Sequence, residues 1–384
     1  MLIETLPFQA ARHACPSPQR AVHLVAGARP NFMKIAPLVR ALRAHNGALG
    51  FKLIHTGQHY DRQLNDVFFE ELGIPAPDEL LAAGSGTHAQ QTAKIMLGFE
   101  AWCEREEPDL VLVVGDVNST LACALVAKKL GIRVAHVEAG LRSRDMTMPE
   151  EVNRVVTDAI SDFLFVTERS GVRNLLAEGR PRAAIHHVGH VMVDNLMYQC
   201  GQLAGTDTLR FVSSALKRRL RRYGVVTLHR ASNVDTPEAL ARVATALRLV
   251  ARRIPLVFPV HPRTRANLER FNIVFGDAVL LTGPMAYMDF LNLWKDAAFV
   301  LTDSGGLQEE TTALGVPCIT VRENTERPVT VEEGTNVLAG TDPERVQLEA
   351  FKILDGESKH GRRPALWDGK AAERIVAILH EVLA

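Results

Sequence analysis

The stretch LVLVVGDVNSTLACALVAKKLGIRVAHVEAG, from Leu110 to Gly140, contains the pattern that decides the fold. Its first five residues are all apolar, and a second run rich in apolar residues, IRVAHV, follows Gly131. Between them, apolar side chains recur at helical spacing up to a pair of lysines. A strand, a helix and a second strand in this order are typical of a parallel βαβ unit, because parallel strands need a crossover connection.

The same alternation of strands and helices continues along most of the chain. The runs that predict strands are AVHLVAG, FKLIHTG, FLFVTE, AIHHVGH, GVVTLHR, LVFPVHP, AVLLTGP, AFVLTDSGG and PCITVRE. The pattern breaks at residues 200–222, which are polar, basic and partly helical. We therefore predict an α/β protein with two doubly wound Rossmann-like domains, at residues 1–195 and 196–365, and a boundary near 190–205. Ligands of open α/β sheets bind beyond the carboxyl ends of the strands, so the cleft between the domains is the expected active site.

Composition excludes several classes of partner. The 384 residues include 44 Lys and Arg and 44 Asp and Glu, a balance that gives no sign of a nucleic-acid or anionic-membrane partner. No apolar run approaches the roughly twenty residues of a membrane span. Residues 1–20 contain three prolines and no long apolar core, which predicts a loose extension rather than a signal peptide. These features predict a cytoplasmic protein that does not bind membranes.

Cysteine and glycine patterns bear on cofactors. The five cysteines are odd in number, widely spaced and without a CxxC pair, so the sequence predicts neither a disulfide framework nor a bound metal. GxGxxG, the dinucleotide fingerprint, does not occur in the chain. We therefore expect no cofactor.

Two strand–turn–helix junctions have the composition of phosphate sites. GARPNFMK, Gly27 to Lys34, offers a tight turn followed by cations, and TDSGGLQEE, Thr302 to Glu310, offers two glycines at a helix start. Backbone N–H groups and the helix dipole at such a start favour an anion. The alternatives that involve no ligand are solvated cations in the first segment and a helix capped by its own residues in the second.

Acidic residues occur at three separate strand ends or helix starts. Asp116 follows one strand, Glu138 ends the next, and Glu150 follows Pro149 at the start of a helix. Helix capping and the helix dipole could explain Asp116 and Glu150, but they do not explain Glu138. In the second half, the pair His229-Arg230 ends another strand, which is a better candidate for chemistry than a lone histidine.

Taken in order, these segments resemble the non-hydrolysing UDP-N-acetylglucosamine 2-epimerases over about residues 22 to 340. The matching stretches are GARPNFMKIAPL, TGQHYD, GDVNSTLA, HVEAGLRS, MPEEVNRVVTD, LHR, HPR, LTDSGGLQEE and NTERP. The resemblance implies the two-domain glycosyltransferase-B fold, in which a C-terminal helix, here at about 366–384, often crosses back to the first domain. Asn31 and the pair Gly189-His190 depart from the family pattern, which bears on sugar recognition.

The resemblance also implies roles for individual residues. The implied catalytic residues are Asp116, Glu138, Glu150 and His229. The predicted substrate-binding residues are Arg29, Lys34, Arg142, Arg230, Phe290, Ser304, Gly305, Gly306, Glu310 and Arg327. The implied partner is a UDP-sugar, and the implied assembly is a homodimer.

The implied reaction is epimerisation at C2 of UDP-N-acetylglucosamine to UDP-N-acetylmannosamine. The C2 proton is not acidic while UDP caps C1, so the chemistry that fits is elimination of UDP to 2-acetamidoglucal and its re-addition. This route needs a base, an acid and a site for the departing diphosphate, but no metal and no nicotinamide. The alternatives are the same chemistry on a UDP-2,3-diacetamido-glucuronate, a hydrolysing epimerase, a glycosyltransferase of the same fold, and a non-catalytic nucleotide-sugar sensor.

Overall fold

A computed structural model gives the structure of the chain. It describes residues 20–45, 49–57, 69 and 72–384. The extension predicted for residues 1–20 lies outside these ranges except for Arg20. The motif TGQHYD lies outside them from Gln58 onward.

The first half of the chain forms a sheet of seven parallel strands in the order β3-β2-β1-β4-β5-β6-β7. The strands are β1 (Ala21–Ala26), β2 (Gly50–His55), β3 (Glu79–Leu80), β4 (Leu110–Val114), β5 (Arg133–Ala139), β6 (Phe163–Val166) and β7 (Ile185–His187). The helices around it are α1 (Arg29–Ala44), α2 (His88–Glu106), α3 (Asn118–Lys129), α4 (Pro149–Ile160), α5 (Arg169–Ala177) and α6 (Val191–Ala204). All six strands predicted in this half are present, and β3 was missed because two residues carry no periodicity.

The second half forms a sheet of six parallel strands in the order β10-β9-β8-β11-β12-β13. The strands are β8 (Gly224–Thr227), β9 (Leu256–Pro259), β10 (Val279–Thr282), β11 (Phe299–Thr302), β12 (Cys318–Thr320) and β13 (Asn336–Leu338). Its helices are α7 (Val212–Leu220), α8 (Ala231–Val234), α9 (Pro237–Val250), α10 (Pro262–Arg270), α11 (Tyr287–Trp294), α12 (Gly305–Leu314), α13 (Pro328–Glu332) and α14 (Pro343–Leu354). Two parallel sheets with interleaved helices confirm the predicted α/β class with two doubly wound units.

A last helix, α15 (Ala371–Leu383), returns to the first half. Its apolar face, which includes Ile375 and Leu379, is buried in the same core as β1 and α1. The indole N–H of Trp367, just before this helix, donates to the carbonyl of Thr167 at 3.0 Å. The domain boundary predicted near residues 190–205 falls within α6 and stays a prediction. Among the described helices, none combines the length and the apolar character needed to cross a bilayer.

Candidate active site

The carboxyl ends of the strands in both sheets face a shared cavity of about 530 Å³, within the usual size range of small-molecule sites. The residues that line it are Pro30, Lys34, Asp116, Glu138, Met148, Glu150, Arg154, Met192, His229, Arg230, Gly305, Gly306, Glu309, Glu326 and Arg327. The cavity therefore brings together all four predicted catalytic residues with five of the predicted substrate-binding residues.

Glu138 sits at a backbone irregularity near the end of β5. The pairing of β5 with β6 shifts register between Val137 and Ala139, which marks a bulge around Glu138. Its φ is +77°, a left-handed conformation that glutamate rarely adopts. Bulges and strained backbone of this kind re-aim a side chain and cluster at functional sites. Here Glu138 is buried and lines the cavity.

The carboxylate of Glu138 is paired with two cations. Lys34 from α1 forms an ion pair with its Oε2, and Nη2 of Arg327 lies 2.7 Å from its Oε1. Burial by itself would raise the pKa of Glu138, but these cations lower it to about 2. Arg327 also lies 2.5 Å from Oε1 of Glu309, so one guanidinium joins carboxylates from the two halves.

Side chains of α4 hold Asp116 at the end of β4. Arg154 forms an ion pair with its carboxylate, and Nδ2 of Asn153 donates to its carbonyl oxygen at 2.9 Å. Arg154 also pairs with Glu151, which accepts N–H bonds from the loop before the helix. Glu150, one residue earlier, is exposed to the cavity. The two adjacent glutamates therefore have different surroundings, because one is buried in an ion pair and the other faces the cavity.

In the second half, buried Asp303 orients the pair His229-Arg230. Its carboxylate accepts the backbone N–H of His229 at 3.1 Å and that of Arg230 at 3.0 Å. Nδ1 of His229 lies 3.4 Å from the same carboxylate, while the half-exposed ring faces the cavity. A carboxylate behind a histidine fixes the orientation of the ring. Asp303 thus fixes the position from which His229 faces a ligand in the cavity.

The amino end of α12 forms the opposite wall. Gly305 and Gly306 line the cavity, and the first turn of the helix contains no acidic residue. A Cβ on Gly305 would lie 2.8 Å from Oε1 of Glu326, whereas one on Gly306 would meet no atom within 4 Å. At the first position a Cβ would displace the end of the Glu326 side chain, and at the second the glycine leaves the backbone open. Such a helix end is suited to an anion.

Four predicted substrate-binding residues do not line the cavity. The side chain of Arg142 is buried and paired with Asp158 and Glu178. Glu310 accepts the hydroxyl of Tyr287 at 3.1 Å, and burial raises its pKa to about 7. The other two are Phe290, packed in an apolar cluster of the second half, and Ser304, the N-cap of α12. The side chain of Arg29 lies outside the described part of the structure. The substrate contacts of all five stay predictions.

The sequence analysis assigned no role to three charged residues that line the cavity: Arg154, Glu309 and Glu326. Arg154 could have been found, because it lies one helical turn after Glu150 on the same face. His190 lies against the cavity wall, where its Nε2 is 2.9 Å from Glu309. Burial by itself would lower the pKa of His190, but Glu309 raises it. No local pattern predicts this pair, because its members come from different halves.

The pair could also take part in a cation site. The donor atoms of Glu138, His190 and Glu309 all lie within 4.8 Å of one another. Arg327 already pairs with both glutamates, and Lys34 pairs with one of them. The negative charge that would attract a cation is thus balanced by protein cations.

Comparisons with known proteins give a consistent result. The family model described as UDP-N-acetylglucosamine 2-epimerase matches residues 40–380. A UDP-N-acetylglucosamine 2-epimerase from Methanocaldococcus jannaschii is 42% identical over 363 residues, covering 93% of this chain and 98% of that protein. A UDP-2,3-diacetamido-2,3-dideoxy-D-glucuronate 2-epimerase from Pseudomonas aeruginosa is 38% identical, covering 92% and 98%. The crystal structure of a Methanocaldococcus jannaschii UDP-GlcNAc 2-epimerase in complex with UDP-GlcNAc and UDP is 41% identical, with a TM-score of 0.83, covering 94% and 99%.

Proposed function

This chain belongs to the UDP-N-acetylglucosamine 2-epimerase family, and on that premise we propose that it interconverts UDP-N-acetylglucosamine and UDP-N-acetylmannosamine. One observation carries the proposal. Carboxylates from the first half and the amino end of helix α12 from the second half line the same cavity. Epimerisation by elimination needs both, because a proton moves at C2 while a diphosphate leaves C1.

The proposed reaction has two balanced steps. A carboxylate takes the C2 proton, the C–H electron pair forms a C1=C2 double bond, and the C1–O bond breaks with its electrons leaving on UDP. The product of this step is 2-acetamidoglucal. In the second step C2 receives a proton on the opposite face, and an oxygen of UDP adds to C1. Electrons balance without an oxidant or a reductant.

The anion site belongs mainly to the second half. We assign the diphosphate to the amino end of α12 at Gly305 and Gly306, with Arg327, Lys34 and His229 as charged or hydrogen-bonding neighbours. All five line the cavity, and the N–H groups at the start of α12 can donate hydrogen bonds to an anion. Stabilising the leaving diphosphate lowers the barrier of the elimination step.

Glu138 and the diphosphate compete for the same cations. Before substrate binds, Lys34 and Arg327 keep the pKa of Glu138 at about 2, despite burial. A diphosphate that attracts these cations raises the basicity of Glu138 and prepares it to accept a proton. Asp116 and Glu150 supply the second acid–base group in this proposal. Binding and proton transfer are thereby coupled through Arg327 and Lys34.

A second substrate has specific support. The Pseudomonas aeruginosa relative, named for a UDP-2,3-diacetamido-2,3-dideoxy-D-glucuronate, is nearly as similar as the Methanocaldococcus jannaschii relative, at 38% against 42% identity. Elimination and re-addition at C1 and C2 would be unchanged with that sugar. The two substrates differ at C3 and C6, so the same carboxylates and anion site serve both.

Product identification tests the proposal. The protein is incubated separately with UDP-N-acetylglucosamine and with the diacetamido-glucuronate substrate, and the products are separated and identified by mass spectrometry and NMR. Formation of UDP-N-acetylmannosamine from the first supports the proposal, and turnover of the second alone supports the second candidate. Release of free N-acetylmannosamine with UDP indicates a hydrolysing epimerase. Absence of turnover with both would contradict the proposal and favour a glycosyltransferase or a sensor.

We further propose that the protein is a cytoplasmic homodimer. The resemblance implies the dimer, and the sequence features described above predict the location. Sedimentation of the purified protein at micromolar concentration tests the assembly, since a monomer and a dimer differ twofold in mass. Fractionation of the source cells tests the location.

A further inference from the structure

His136 begins the motif HVEAG but does not line the cavity. It lies on β5 and is fully buried. Its Nδ1 is 2.7 Å from Oδ1 of Asp158, and its Nε2 is 2.8 Å from the carbonyl oxygen of Gly115. A carboxylate and a carbonyl can only accept, so each ring nitrogen faces a hydrogen-bond acceptor.

Asp158, the partner of His136, lies near the end of α4 and is also buried. Its second oxygen accepts the N–H of Gly140 at 2.9 Å and lies 2.7 Å from Nη1 of Arg142. Burial by itself would raise the pKa of Asp158, but His136 and Arg142 lower it. The ionised carboxylate therefore holds the His136 ring, the Arg142 guanidinium and one backbone N–H in fixed positions.

The bond from His136 to Gly115 acts on the turn that carries Asp116. Gly115 has a φ of +68°, and Asp116 follows it directly. Asn153 donates to the carbonyl of Asp116 at 2.9 Å, so consecutive carbonyl groups are both fixed by side chains. The direction in which the Asp116 side chain leaves the backbone depends on this turn.

The same buried pair brackets Glu138. His136 lies two residues before Glu138 and Gly140 two residues after it, and both are bonded to Asp158. Between them the backbone adopts the left-handed conformation of the bulge. Strained backbone persists only where surrounding contacts determine it. The pair supplies two of these contacts.

The third carboxylate is fixed through α4. Glu150 lies in the first turn of α4, and Asp158 lies eight residues later, about 12 Å along the helix axis. Anchoring Asp158 to β5 fixes the far end of the helix. Arg154, between them, reaches Asp116 from the same helix.

From these contacts we propose that the buried His136–Asp158 pair is a positioning unit that holds Asp116, Glu138 and Glu150 in the relative positions needed for proton transfer. It touches neither substrate nor reacting atoms. This inference rests on the proposed function, since it assigns an effect on the rate of epimerisation. Misplacing a catalytic group by about 1 Å costs on the order of 100-fold in rate.

Two substitutions separate the bonds of the histidine. His136→Asn retains an N–H near the position of Nδ1 and loses the bond to Gly115. His136→Gln retains one near Nε2 and loses the bond to Asp158. We expect each to lower kcat about 10- to 100-fold, while KM and the calorimetric Kd for UDP stay within about twofold. Asp158→Asn, which disturbs the contacts of both carboxylate oxygens, should lower kcat further than either His136 substitution.

Asp162→Asn is the matched control. Asp162 accepts the N–H of Val134 at 2.8 Å and pairs with Lys128, so it anchors the opposite, amino end of β5. It should lower thermal stability but leave kcat within about twofold. A general loosening of β5 would instead lower kcat in Asp162→Asn as much as in the His136 variants, and that result would overturn the positioning role.

The comparison is made against turnover of UDP-N-acetylglucosamine by the wild type. If the wild type turns over UDP-N-acetylglucosamine and both His136→Asn and His136→Gln fold and keep the full kcat, this inference alone is overturned. A wild type that binds UDP but does not turn over either sugar overturns the proposed function itself. If Asp158→Asn does not fold, the two His136 variants decide the question, because Asp158 keeps Arg142 and Gly140 as partners in both.

Discussion

Nη2 of Arg327, in the second half of the chain, lies 2.7 Å from Oε1 of Glu138, in the first half. Arg327 is the residue before α13, and Glu138 is the residue of the β5 bulge. This ion pair joins Arg327, which we propose binds the diphosphate, to Glu138, a proposed catalytic carboxylate, across the cavity. In the proposed mechanism, anion binding and proton transfer therefore depend on the same guanidinium.

Arg327→Ala should weaken UDP binding. A charge-assisted contact to a diphosphate is worth about 1.5–3 kcal/mol, which is roughly tenfold or more in Kd. Isothermal titration calorimetry with UDP measures this loss. Arg253→Ala is the control, because Arg253 pairs with Asp355 on the surface and does not line the cavity. Equal UDP affinities of wild type and Arg327→Ala would contradict the diphosphate assignment.

Glu150→Gln and Glu151→Gln should have different effects although the residues are adjacent. Glu150 faces the cavity, so its loss as an acid or base should lower kcat about 10²–10⁴-fold with UDP binding retained. Glu151 is buried and paired with Arg154, so Glu151→Gln should lower the free energy of unfolding by about 1–3 kcal/mol. Steady-state kinetics and denaturant unfolding of both variants provide the measurements. Loss of UDP affinity with full turnover in Glu150→Gln would assign that residue to the helix end instead.

The proposed elimination predicts exchange of the C2 proton with solvent. In D₂O the epimerised product should carry deuterium at C2, because the donor carboxyl equilibrates with water before it protonates the glucal. Prolonged incubation should also release a small amount of UDP and 2-acetamidoglucal. Mass spectrometry of the product distinguishes this route from a hydride shuttle, which returns the original hydrogen. Complete retention of protium at C2 would rule out elimination.

Glu310→Gln should change the pH dependence of stability. Burial raises the pKa of Glu310 to about 7 from a model-peptide value near 4.5, so the folded state binds the proton more tightly than the unfolded state. This contribution to the free energy of unfolding is fully present below about pH 4.5. About 3 kcal/mol of it is lost as the pH rises through about 7. Without ligand, the melting temperature of Glu310→Gln relative to that of the wild type should be higher at pH 8 than at pH 5. The exposed variant Glu344→Gln should show no such gain, and an equal change in both variants would contradict the assignment.

Gly140→Ala and Gly131→Ala compare two glycines with similar positive φ, +82° and +74°. Both substitutions incur the left-handed cost of about 1 kcal/mol. A Cβ on Gly140 would also lie 2.5 Å from the carbonyl oxygen of Gly171, whereas one on Gly131 meets no atom within 4 Å. Gly140→Ala should therefore be destabilised further, by about 1–3 kcal/mol, in urea unfolding. Equal destabilisation of the two variants would show that α5 can move away from this turn.

The fold class was predictable because its signals are local. Short apolar runs alternating with amphipathic helices can bury their apolar faces only in parallel sheets covered on both sides. The same rule explains why Asp116 and Glu138, which follow or end neighbouring strands, lie at one edge of the sheet. Gly305 and Gly306 were predictable as a helix start from composition alone. Strand β3 was not predictable, since two residues carry no period, and β13 at Asn336–Leu338 was also missed.

The sequence by itself determined which segments are strands, where their polar ends lie, and which residue types are present for acid–base chemistry and anion binding. Tertiary structure alone decided the partners of those residues. It placed Arg142 against Asp158 and Glu178, away from the cavity, and joined His190 to Glu309 across the two halves. The physical reason is that period and turn chemistry act over a few residues. Ion pairs between buried charges instead depend on how distant elements pack, since each charge must find an opposite one at the place where the chain buries it.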